Sequence, residues 1–386
     1  MKRDYFIGED IKKDYFDSKL IENLSHSSEG ISSKDGRLTV YLPHKLGFCH
    51  GVVRSIRMAM YTAEKYAGRK IYLINEMIHN PYVNHQLQKR GINFLYGRFS
   101  KNTHGLDIVT KDDVVIVPAF GGTPDVYDKL TAIGCMVVDT TCGEVASIWK
   151  RIKNYYNRVD YTTLVFGKAY HEETIATSSR ANRYLVMKDL TETQIVADYI
   201  RQPSESVANE LLGYFNGAYS LGFNPSVDLQ HVGMASQTTM YANQFITASN
   251  MIKEAMEDRH AGCISYDVGE HFMELDTICS ATQKRQDALK LLLPDIDMMI
   301  IVGGYNSSNT GNLARIASEH VPAYHIEGTG KISTETISHQ PIGTKQEVTT
   351  KHWLPETAPL RIGVTSGAST PDNVLEQVIH EILELK

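Results

Sequence analysis

The chain contains a threefold repeat in which a cysteine is followed, 28 to 30 residues later, by a short polar cluster. The pairs are Cys49 with His79, 30 residues apart, Cys142 with His171, 29 apart, and Cys279 with Ser307, 28 apart. An internal repeat constrains the architecture before any single motif is interpreted, because each copy must fold into a similar unit.

Each copy has the same order of predicted elements. The cysteine precedes a helical stretch, an apolar strand leads to the polar cluster, and a second apolar strand runs into small polar residues. The helical stretches are 52–66, 144–153 and 281–292, the first strands are 70–74, 164–167 and 300–303, and the second strands with their polar ends are 114–123, 232–239 and 362–369. Alternating strands and helices predict parallel sheets covered by helices, with ligands at the carboxyl ends of the strands.

We therefore predict an α/β protein of three pseudo-equivalent α/β modules, with mostly parallel sheets around one central site. Its 386 residues exceed what one ordinary core holds. The predicted divisions are an N-terminal arm at 1–38, a first module at 39–134 with Cys49, a second at 135–270 with Cys142, and a third at 271–386 with Cys279. The second module is predicted to carry an insertion at about 202–230, and the third an extended loop at 329–351.

The three repeated cysteines are candidate metal ligands. Together they would supply soft thiolates for an iron–sulfur cluster or for zinc, and a position before a helix favours the thiolate. Five cysteines, scattered and without an export signal, disfavour a disulfide framework. We expect the other two, Cys135 and Cys263, to be buried apolar residues. No compact zinc or ferredoxin spacing is present, and a cube held by three cysteines would leave one iron open to a substrate.

The polar clusters offer hydrogen-bond donors without an accompanying group of lysines or arginines. Their members are His79, His171, Ser307, Ser308, Asn309, Ser369 and Thr370. Imidazoles, hydroxyls and helix N-terminal amides can hold phosphate groups. Taken singly, the serines and the asparagine are better explained as helix caps, and a lone histidine could be an ordinary loop residue. Their recurrence at matching positions favours phosphate binding.

Glu173 lies inside one of these polar segments, where its carboxylate would repel a bound phosphate. Such a position is explained if the carboxyl group transfers protons. The alternative is an ordinary negative charge in the first turn of a helix, which the neighbouring Glu172 fits better.

Charge and hydropathy exclude two classes of partner. The formal net charge of -6 comes without a cluster of basic residues, which disfavours nucleic-acid binding. The longest apolar runs, such as 298–302, are far shorter than a membrane span. Residues 1–36 have no apolar signal-peptide core, and their many acidic residues fit an organelle transit peptide poorly. A cytoplasmic location is expected, with the plastid stroma as the alternative.

With these residues in view, the chain resembles the 4-hydroxy-3-methylbut-2-enyl diphosphate reductases (the LytB/IspH family), which catalyse the last step of the methylerythritol phosphate route to isoprenoids. The resemblance runs from about residue 40 to 385 and rests on motifs in matching order. They are GFCHGV, HNPYV, DTTC, HEET, QTT, DTIC followed by AT, NSSN and TSGASTPD.

The resemblance implies a role for each motif residue. Cys49, Cys142 and Cys279 would bind one [4Fe-4S] cluster with one open iron site at the centre of the three modules. The implied diphosphate contacts are His79, His171, Ser307, Asn309 and Ser369, with Ser308 close by. Thr238 and Glu173 would lie near the substrate hydroxyl, and Glu173 would deliver protons. The implied reaction takes two electrons and two protons, removes the hydroxyl as water, and gives isopentenyl and dimethylallyl diphosphates.

One departure concerns the segment 118–121, which reads Pro-Ala-Phe-Gly where many bacterial members have Ser-Ala-His-Gly. A diphosphate contact from that histidine is therefore not expected. The Phe form, the HEET motif, the long N-terminal arm and the insertion resemble the longer branch of plants and cyanobacteria. Reduced ferredoxin is the electron donor expected in that branch, with flavodoxin as the other candidate.

Two other functions use the same cysteines. An iron–sulfur scaffold or electron carrier would need the thiolates but not the polar residues or Glu173. A non-redox zinc enzyme would bind zinc in place of iron. Metal analysis of anaerobically purified protein distinguishes these functions.

Overall fold

The fold is taken from a computed structural model that describes residues 2–3, 16–101, 104–157, 160–275, 277–356 and 359–385. The helices are α1 (Lys19–Ser25), α2 (His50–Lys65), α3 (Pro81–Lys89), α4 (Pro124–Ile133), α5 (Gly143–Arg151), α6 (Glu172–Ser178), α7 (Leu190–Arg201), α8 (Glu205–Tyr214), α9 (Pro225–Asp228), α10 (Ala242–Arg259), α11 (Ser280–Leu292), α12 (Ser308–Ser318) and α13 (Asp372–Leu383). The strands are β1 (Lys2–Arg3), β2 (Ile31–Ser32), β3 (Leu38–Tyr41), β4 (Ile71–Leu73), β5 (Ile92–Phe94), β6 (Val114–Val117), β7 (Met136–Asp139), β8 (Thr162–Phe166), β9 (Tyr184–Met187), β10 (Val232–Ser236), β11 (Phe272–Glu274), β12 (Met298–Val302), β13 (Ala323–Ile326), β14 (Thr336–His339), β15 (Val348–Lys351) and β16 (Leu360–Ser366).

The chain divides into two compact units. The first comprises Phe120–Gly134 and Thr141–Cys279, and the second comprises Lys2–Ala119, Cys135–Thr140 and Ser280–Lys386. Cys142 and Cys279 therefore belong to the first unit, and Cys49 belongs to the second.

The first unit is built on one four-stranded sheet in the order β11-β10-β8-β9, with every neighbouring pair parallel. All five residues of β8 and all five of β10 are buried. Strands buried on both faces need nearly continuous apolar runs, and such runs are what allowed β8 and β10 to be predicted from the sequence. Helices α7 and α10 contribute Tyr199 and Phe245 to the same core.

The second unit contains two larger sheets. One has the order β1-β7-β6-β4-β5 and is parallel throughout. The other has the order β13-β12-β16-β3-β2, in which only the edge strand β2 runs antiparallel to its neighbour. The strands β14 and β15 form a separate antiparallel pair.

The predicted α/β class with mostly parallel sheets is confirmed by this topology. The predicted strands and cysteine-linked helices are all present, within a few residues of the expected bounds. Strand β3, at the predicted start of the first module, pairs with β16. Strand β7 lies after the predicted boundary at 134, in the predicted second module, but it pairs with β6 of the predicted first module. The division into three modules stays a prediction.

The predicted loop at 329–351 and the predicted arm both contain regular structure. The loop carries the β14–β15 pair, because its Thr, Ile and Val residues suit a strand pair with one covered face. In the arm, Ser18 caps α1, and Ile21 packs in the same core as Val40. Residues 4–15 lie outside the described part of the chain. None of the helices in the described ranges is long and apolar enough to cross a membrane.

Candidate functional site

The three repeated cysteines lie at the starts of helices. Cys49 is the N-cap of α2, and its Sγ accepts a hydrogen bond from the Val52 amide at 3.5 Å. Cys142 is the N-cap of α5, and Cys279 directly precedes α11. All three are half-buried, and no disulfide involves any cysteine of the chain. Helix N-termini stabilise thiolates, so this arrangement suits soft-metal ligation.

The two remaining cysteines differ from each other. Cys135 is fully buried, as expected, and burial raises the pKa of its thiol. Cys263 is exposed, so the prediction that it is buried was wrong. It lies in the turn after α10, outside the sheet core, where its Sγ is 3.4 Å from the Ser265 hydroxyl.

In the first unit, three neighbouring strands end at the same edge of the sheet. Phe166 of β8 is in register with Ser236 of β10, and Met234 of β10 is in register with Glu274 of β11. The segments that follow carry the predicted residues His171, Glu173, Thr238 and Cys279. Asp276 of the DTIC motif lies outside the described residues.

Glu173, Thr238 and Cys279 are joined by hydrogen bonds. The Thr238 amide donates to Glu173 Oε1 at 2.6 Å, and the Thr238 hydroxyl donates to Glu173 Oε2 at 2.9 Å. The Cys279 amide donates to the Thr238 carbonyl at 3.3 Å. Glu173 is only 3% exposed. Its carboxylate is therefore held in one orientation beside the backbone of a candidate metal ligand.

The imidazole of His171 has a defined hydrogen-bonding pattern. Its Nδ1 accepts from the Glu173 amide at 3.2 Å, which makes His171 the N-cap of α6. A neutral imidazole that accepts at Nδ1 carries its proton on Nε2. His171 thus has an N–H donor at Nε2, the ring nitrogen that does not cap α6.

Gln237 was not singled out by the sequence analysis, although it opens the QTT motif. Its Oε1 accepts from the Lys168 amide at 3.1 Å and from the Thr174 hydroxyl at 3.2 Å, while its Nε2 donates to Thr239 at 2.8 Å. It ties the segment after β8 to the segment after β10, and so supports both Glu173 and Thr238.

Phe120 is the aromatic residue of the Pro-Ala-Phe-Gly segment at 118–121. Its ring centroid lies 5.5 Å from that of His171, and the two rings are nearly perpendicular at 84°. Edge-to-face geometry is favourable for aromatic pairs. Phe120 therefore packs on the neighbouring imidazole, and its side chain offers no hydrogen bond.

In the second unit, the segments after β12, β16 and β3 meet. Ser307 Oγ accepts from the Thr310 amide at 3.3 Å and from the Ser369 hydroxyl at 3.3 Å. Asn309 Oδ1 accepts from the Ala368 amide at 3.1 Å. The carbonyl of the same residue, Ala368, accepts from the Cys49 amide at 3.4 Å, which joins this group to the cysteine.

The remaining residues of this group have different surroundings. Ser308 is buried as the first residue of α12. Thr370, predicted as a phosphate donor, gives its hydroxyl proton to the Val302 carbonyl at 3.0 Å. That hydrogen bond fixes the end of β12 and explains the residue structurally.

His79 follows β4 and is oriented by an acidic residue. Its Nδ1 lies 3.3 Å from Glu76 Oε2, and Glu76 Oε1 also accepts from Arg98 at 2.7 Å. A carboxylate beside Nδ1 favours a proton on that nitrogen. The His79 carbonyl packs against Gly304, where an added Cβ would lie 2.3 Å from that oxygen. His79 thus lies beside the segment that leads to Ser307.

Arg285, which the sequence analysis also missed, holds the loop before Cys49. Its Nε and Nη2 donate to the Gly47 carbonyl at 3.1 and 2.7 Å, and the side chain is buried. The Gly47 amide donates to Ser366 Oγ at 3.0 Å. Gly47 has φ of +67°, and an added Cβ would lie 2.3 Å from Asp372 Oδ1. The loop is therefore fixed by residues of α11, β16 and α13.

Asp372 makes this part of the fold sensitive to pH. Burial raises the pKa of Asp372 to about 6, with Asp17 adding to the rise and Arg285 opposing it. The folded chain binds this proton more tightly than the unfolded chain, so the contribution to stability is lost as pH rises through about 6. We expect Asp372→Asn to increase the free energy of unfolding by about 1 kcal/mol more at pH 8 than at pH 5.

Urea unfolding followed by circular dichroism at the two pH values measures this difference. Asp297→Asn is the matched control with the opposite sign, because Arg361 lowers the pKa of Asp297 and removing that carboxylate should destabilise the protein at pH 8. An equal effect of Asp372→Asn at both pH values would contradict the assignment.

Comparisons with known proteins agree with these motifs. A sequence model of the LytB protein family matches residues 40–383. A relative from Gloeobacter violaceus, named 4-hydroxy-3-methylbut-2-enyl diphosphate reductase, is 41% identical over 385 residues, covering 98% of this chain and 90% of its own. A relative from Picosynechococcus with the same name is 40% identical over 375 residues, covering 96% and 90%.

Two solved structures are also similar. One, described as (E)-4-hydroxy-3-methyl-but-2-enyl diphosphate reductase, the terminal enzyme of the non-mevalonate pathway, has a TM-score of 0.53 at 26% identity, covering 89% of this chain and 99% of its own. The other, a diphosphate reductase from Plasmodium falciparum, has a TM-score of 0.63 at 21% identity, covering 88% and 86%, and shows the shared fold. With the cysteine, HEET, QTT and NSSN motifs placed at strand ends and a family match over residues 40–383, the chain belongs to the LytB family.

Proposed function

We propose that this chain reduces 4-hydroxy-3-methylbut-2-enyl diphosphate to isopentenyl and dimethylallyl diphosphates, as its relatives' names indicate for them. This is the last step of the methylerythritol phosphate route. The observation that carries the proposal is the buried Glu173 carboxylate, which receives both hydrogen bonds of Thr238 while Thr238 is bonded to the backbone of Cys279. A proton-transfer group fixed beside a thiolate ligand suits a reaction that consumes electrons and protons together.

Iron–sulfur dependence is a property of the LytB family. Cys49, Cys142 and Cys279 fit such a group, because each is half-buried at a helix start and none is in a disulfide. They would hold one [4Fe-4S] cluster with one iron not ligated by the protein. When bound, the cluster would supply the electrons and a Lewis-acidic iron.

The proposed diphosphate contacts are imidazoles, hydroxyls and a side-chain amide. In the first unit, His171 presents Nε2–H because its Nδ1 is occupied by the helix cap. In the second unit, His79 would donate from Nε2 as an imidazolium, with its Nδ1–H facing Glu76. The hydroxyl and amide donors are Ser307, Ser308, Asn309 and Ser369. Hydrogen bonds from these groups to an ionised diphosphate are charge-assisted and therefore stronger than those between neutral groups.

Thr238 provides a route for the proton. Its hydroxyl hydrogen points to Glu173 Oε2, so its oxygen is available to accept a hydrogen bond from the substrate hydroxyl. Once Glu173 has taken up a proton from solvent, its O–H donates to the Thr238 oxygen and the Thr238 hydroxyl donates to the leaving oxygen, so that one proton passes from Glu173 to that oxygen. The allylic C–O bond breaks, the oxygen leaves as water, two electrons enter the carbon skeleton, and a second proton adds to carbon. The position of that second proton decides between the two products.

The electron donor and the location are part of the same proposal. Two electrons that enter one at a time suit a small one-electron carrier protein, for which we propose reduced ferredoxin, with flavodoxin as the alternative. We place the enzyme in the cytoplasm, with the plastid stroma as the alternative compartment.

The direct test is turnover under strictly anaerobic conditions. The purified, cluster-loaded protein, reduced with dithionite and methyl viologen, should convert 4-hydroxy-3-methylbut-2-enyl diphosphate to both products, separated by chromatography. Replacing the chemical reductant with reduced ferredoxin or reduced flavodoxin ranks the donors. Cluster-loaded protein that accepts electrons but gives no product would support the electron-carrier function instead.

A further inference from the structure

The first unit contains a group of side chains that lies behind the Phe120–His171 contact. The segment after Phe120 turns sharply, because Gly121 has φ of +84°. Trp149 packs directly on this glycine, since an added Cβ would lie 2.2 Å from its ring. Glycine is therefore required here both for its backbone conformation and for the close approach of the indole.

Arg180 holds the next residue of the same segment. Its Nη2 donates to the Gly122 carbonyl at 2.6 Å. The guanidinium carbon lies 4.2 Å from the centroid of the Trp149 ring and 5.3 Å from that of Tyr127. A charge-assisted hydrogen bond together with two cation–π contacts is a strong local combination.

The same group is attached to the helix that carries Glu173. Trp149 Nε1 donates to Thr177 Oγ1 of α6 at 3.1 Å, and the Arg180 amide donates to the Thr177 carbonyl at 3.1 Å. Asn157 Nδ2 donates to the Arg180 carbonyl at 2.8 Å. The backbone of Arg180 is thus held by two hydrogen bonds, and its side chain in turn holds the Gly122 carbonyl.

We propose that Arg180 is a positioning residue for His171. By holding Gly122 and stacking on Trp149, it fixes the segment that places the Phe120 ring against the imidazole. The imidazole is then constrained on one side by its Nδ1 hydrogen bond and on the other by the Phe120 ring, so its Nε2–H has one direction. The inference rests on the proposed function, because it assigns the constrained donor to the diphosphate.

The effect should appear in substrate binding rather than in proton delivery. Arg180→Lys keeps the charge but loses the planar fork that both donates to Gly122 and stacks on Trp149. We expect KM for 4-hydroxy-3-methylbut-2-enyl diphosphate to rise about 10-fold, with kcat changed less than about 3-fold. The dissociation constant for inorganic pyrophosphate, measured by calorimetry on the cluster-loaded protein, should rise in parallel.

Two further variants separate positioning from general stability. Arg183→Lys is the matched control, because Arg183 lies three residues away with an exposed side chain that pairs only loosely with Asp228 at 3.9 Å. It should leave KM and pyrophosphate binding unchanged. Phe120→Leu should raise KM like Arg180→Lys, and the double variant should show less than the product of the two effects, since both act through one contact.

The outcomes distinguish this inference from the proposed function. If the unchanged protein does not convert the substrate, the proposed function fails. If it does convert the substrate and Arg180→Lys leaves KM unchanged, or lowers only kcat, the positioning role is overturned. Fully multiplicative effects of Arg180→Lys and Phe120→Leu would overturn it as well, because independent residues act multiplicatively.

Discussion

Glu173→Gln is expected to lower kcat by about 100-fold or more, while KM changes less than about 3-fold. The amide has the same shape, and its oxygen can still accept the hydrogen bond from the Thr238 amide, which is 2.6 Å from Oε1 in the unchanged protein. The side-chain amide of the glutamine, however, has no acidic proton to transfer at neutral pH. Steady-state kinetics with a chemical reductant, together with iron and sulfide analysis of the variant, measure the effect.

Glu205→Gln is the control for this experiment, because it removes an exposed charge from the first turn of α8, another helix of the same unit. It should retain activity within about 3-fold. Glu173→Gln with normal kcat would show that the protons come from elsewhere. A variant that had lost its cluster would instead point to a structural role for the carboxylate.

Serine at Cys49, Cys142 or Cys279 is expected to abolish stable cluster binding and, with it, nearly all activity. A hydroxyl is a much harder and less acidic ligand than a thiol, so each change removes one of three protein bonds to the cluster. Iron bound per chain should fall below about a tenth of the unchanged value. Anaerobic iron analysis and the visible absorption spectrum measure it.

Cys135→Ser and Cys263→Ser provide the comparison in the same chain. Cys135 is fully buried and Cys263 is exposed at a turn, and neither belongs to the repeat. Both variants should keep iron, sulfide and turnover, although Cys135→Ser should be less stable because it buries a hydroxyl. If one of the three repeated cysteines could be replaced without loss of iron, the ligand assignment would be wrong.

The repeat predicted local elements well, because it depends on short-range patterns. Buried strands such as β8 and β12 are uninterrupted apolar runs, and each is followed by a polar cluster at its carboxyl end. Parallel pairing then brings these ends together at one edge of each sheet. The sequence thus predicted that Thr238 follows a strand end at the same edge as the segment carrying Glu173.

Pairings between distant segments were not predictable in the same way. Strand β3 joins β16, more than 300 residues later, and no local pattern specifies that partner. Arg285 reaches Gly47 across 238 positions, and Arg180 reaches Gly122 across 58. An arginine on a helix, like Arg285, or just after one, like Arg180, looks like an ordinary solvated charge until the fold places a carbonyl or a ring against it.

The hairpin of β14 and β15 was missed for a different reason. Its strands have four residues each and are only partly covered, so the alternation of buried and exposed positions is short. Cys263 illustrates the opposite error, because a general preference for burial was applied to a residue that the fold places in a turn.

The most direct test of the central claim is the metal content of the active, anaerobically purified protein. If three thiolates hold a reducing iron–sulfur cluster, the protein should be brown and contain about three to four irons and a similar amount of acid-labile sulfide per chain, with almost no zinc. A colourless protein that contains only zinc and still converts 4-hydroxy-3-methylbut-2-enyl diphosphate would contradict it.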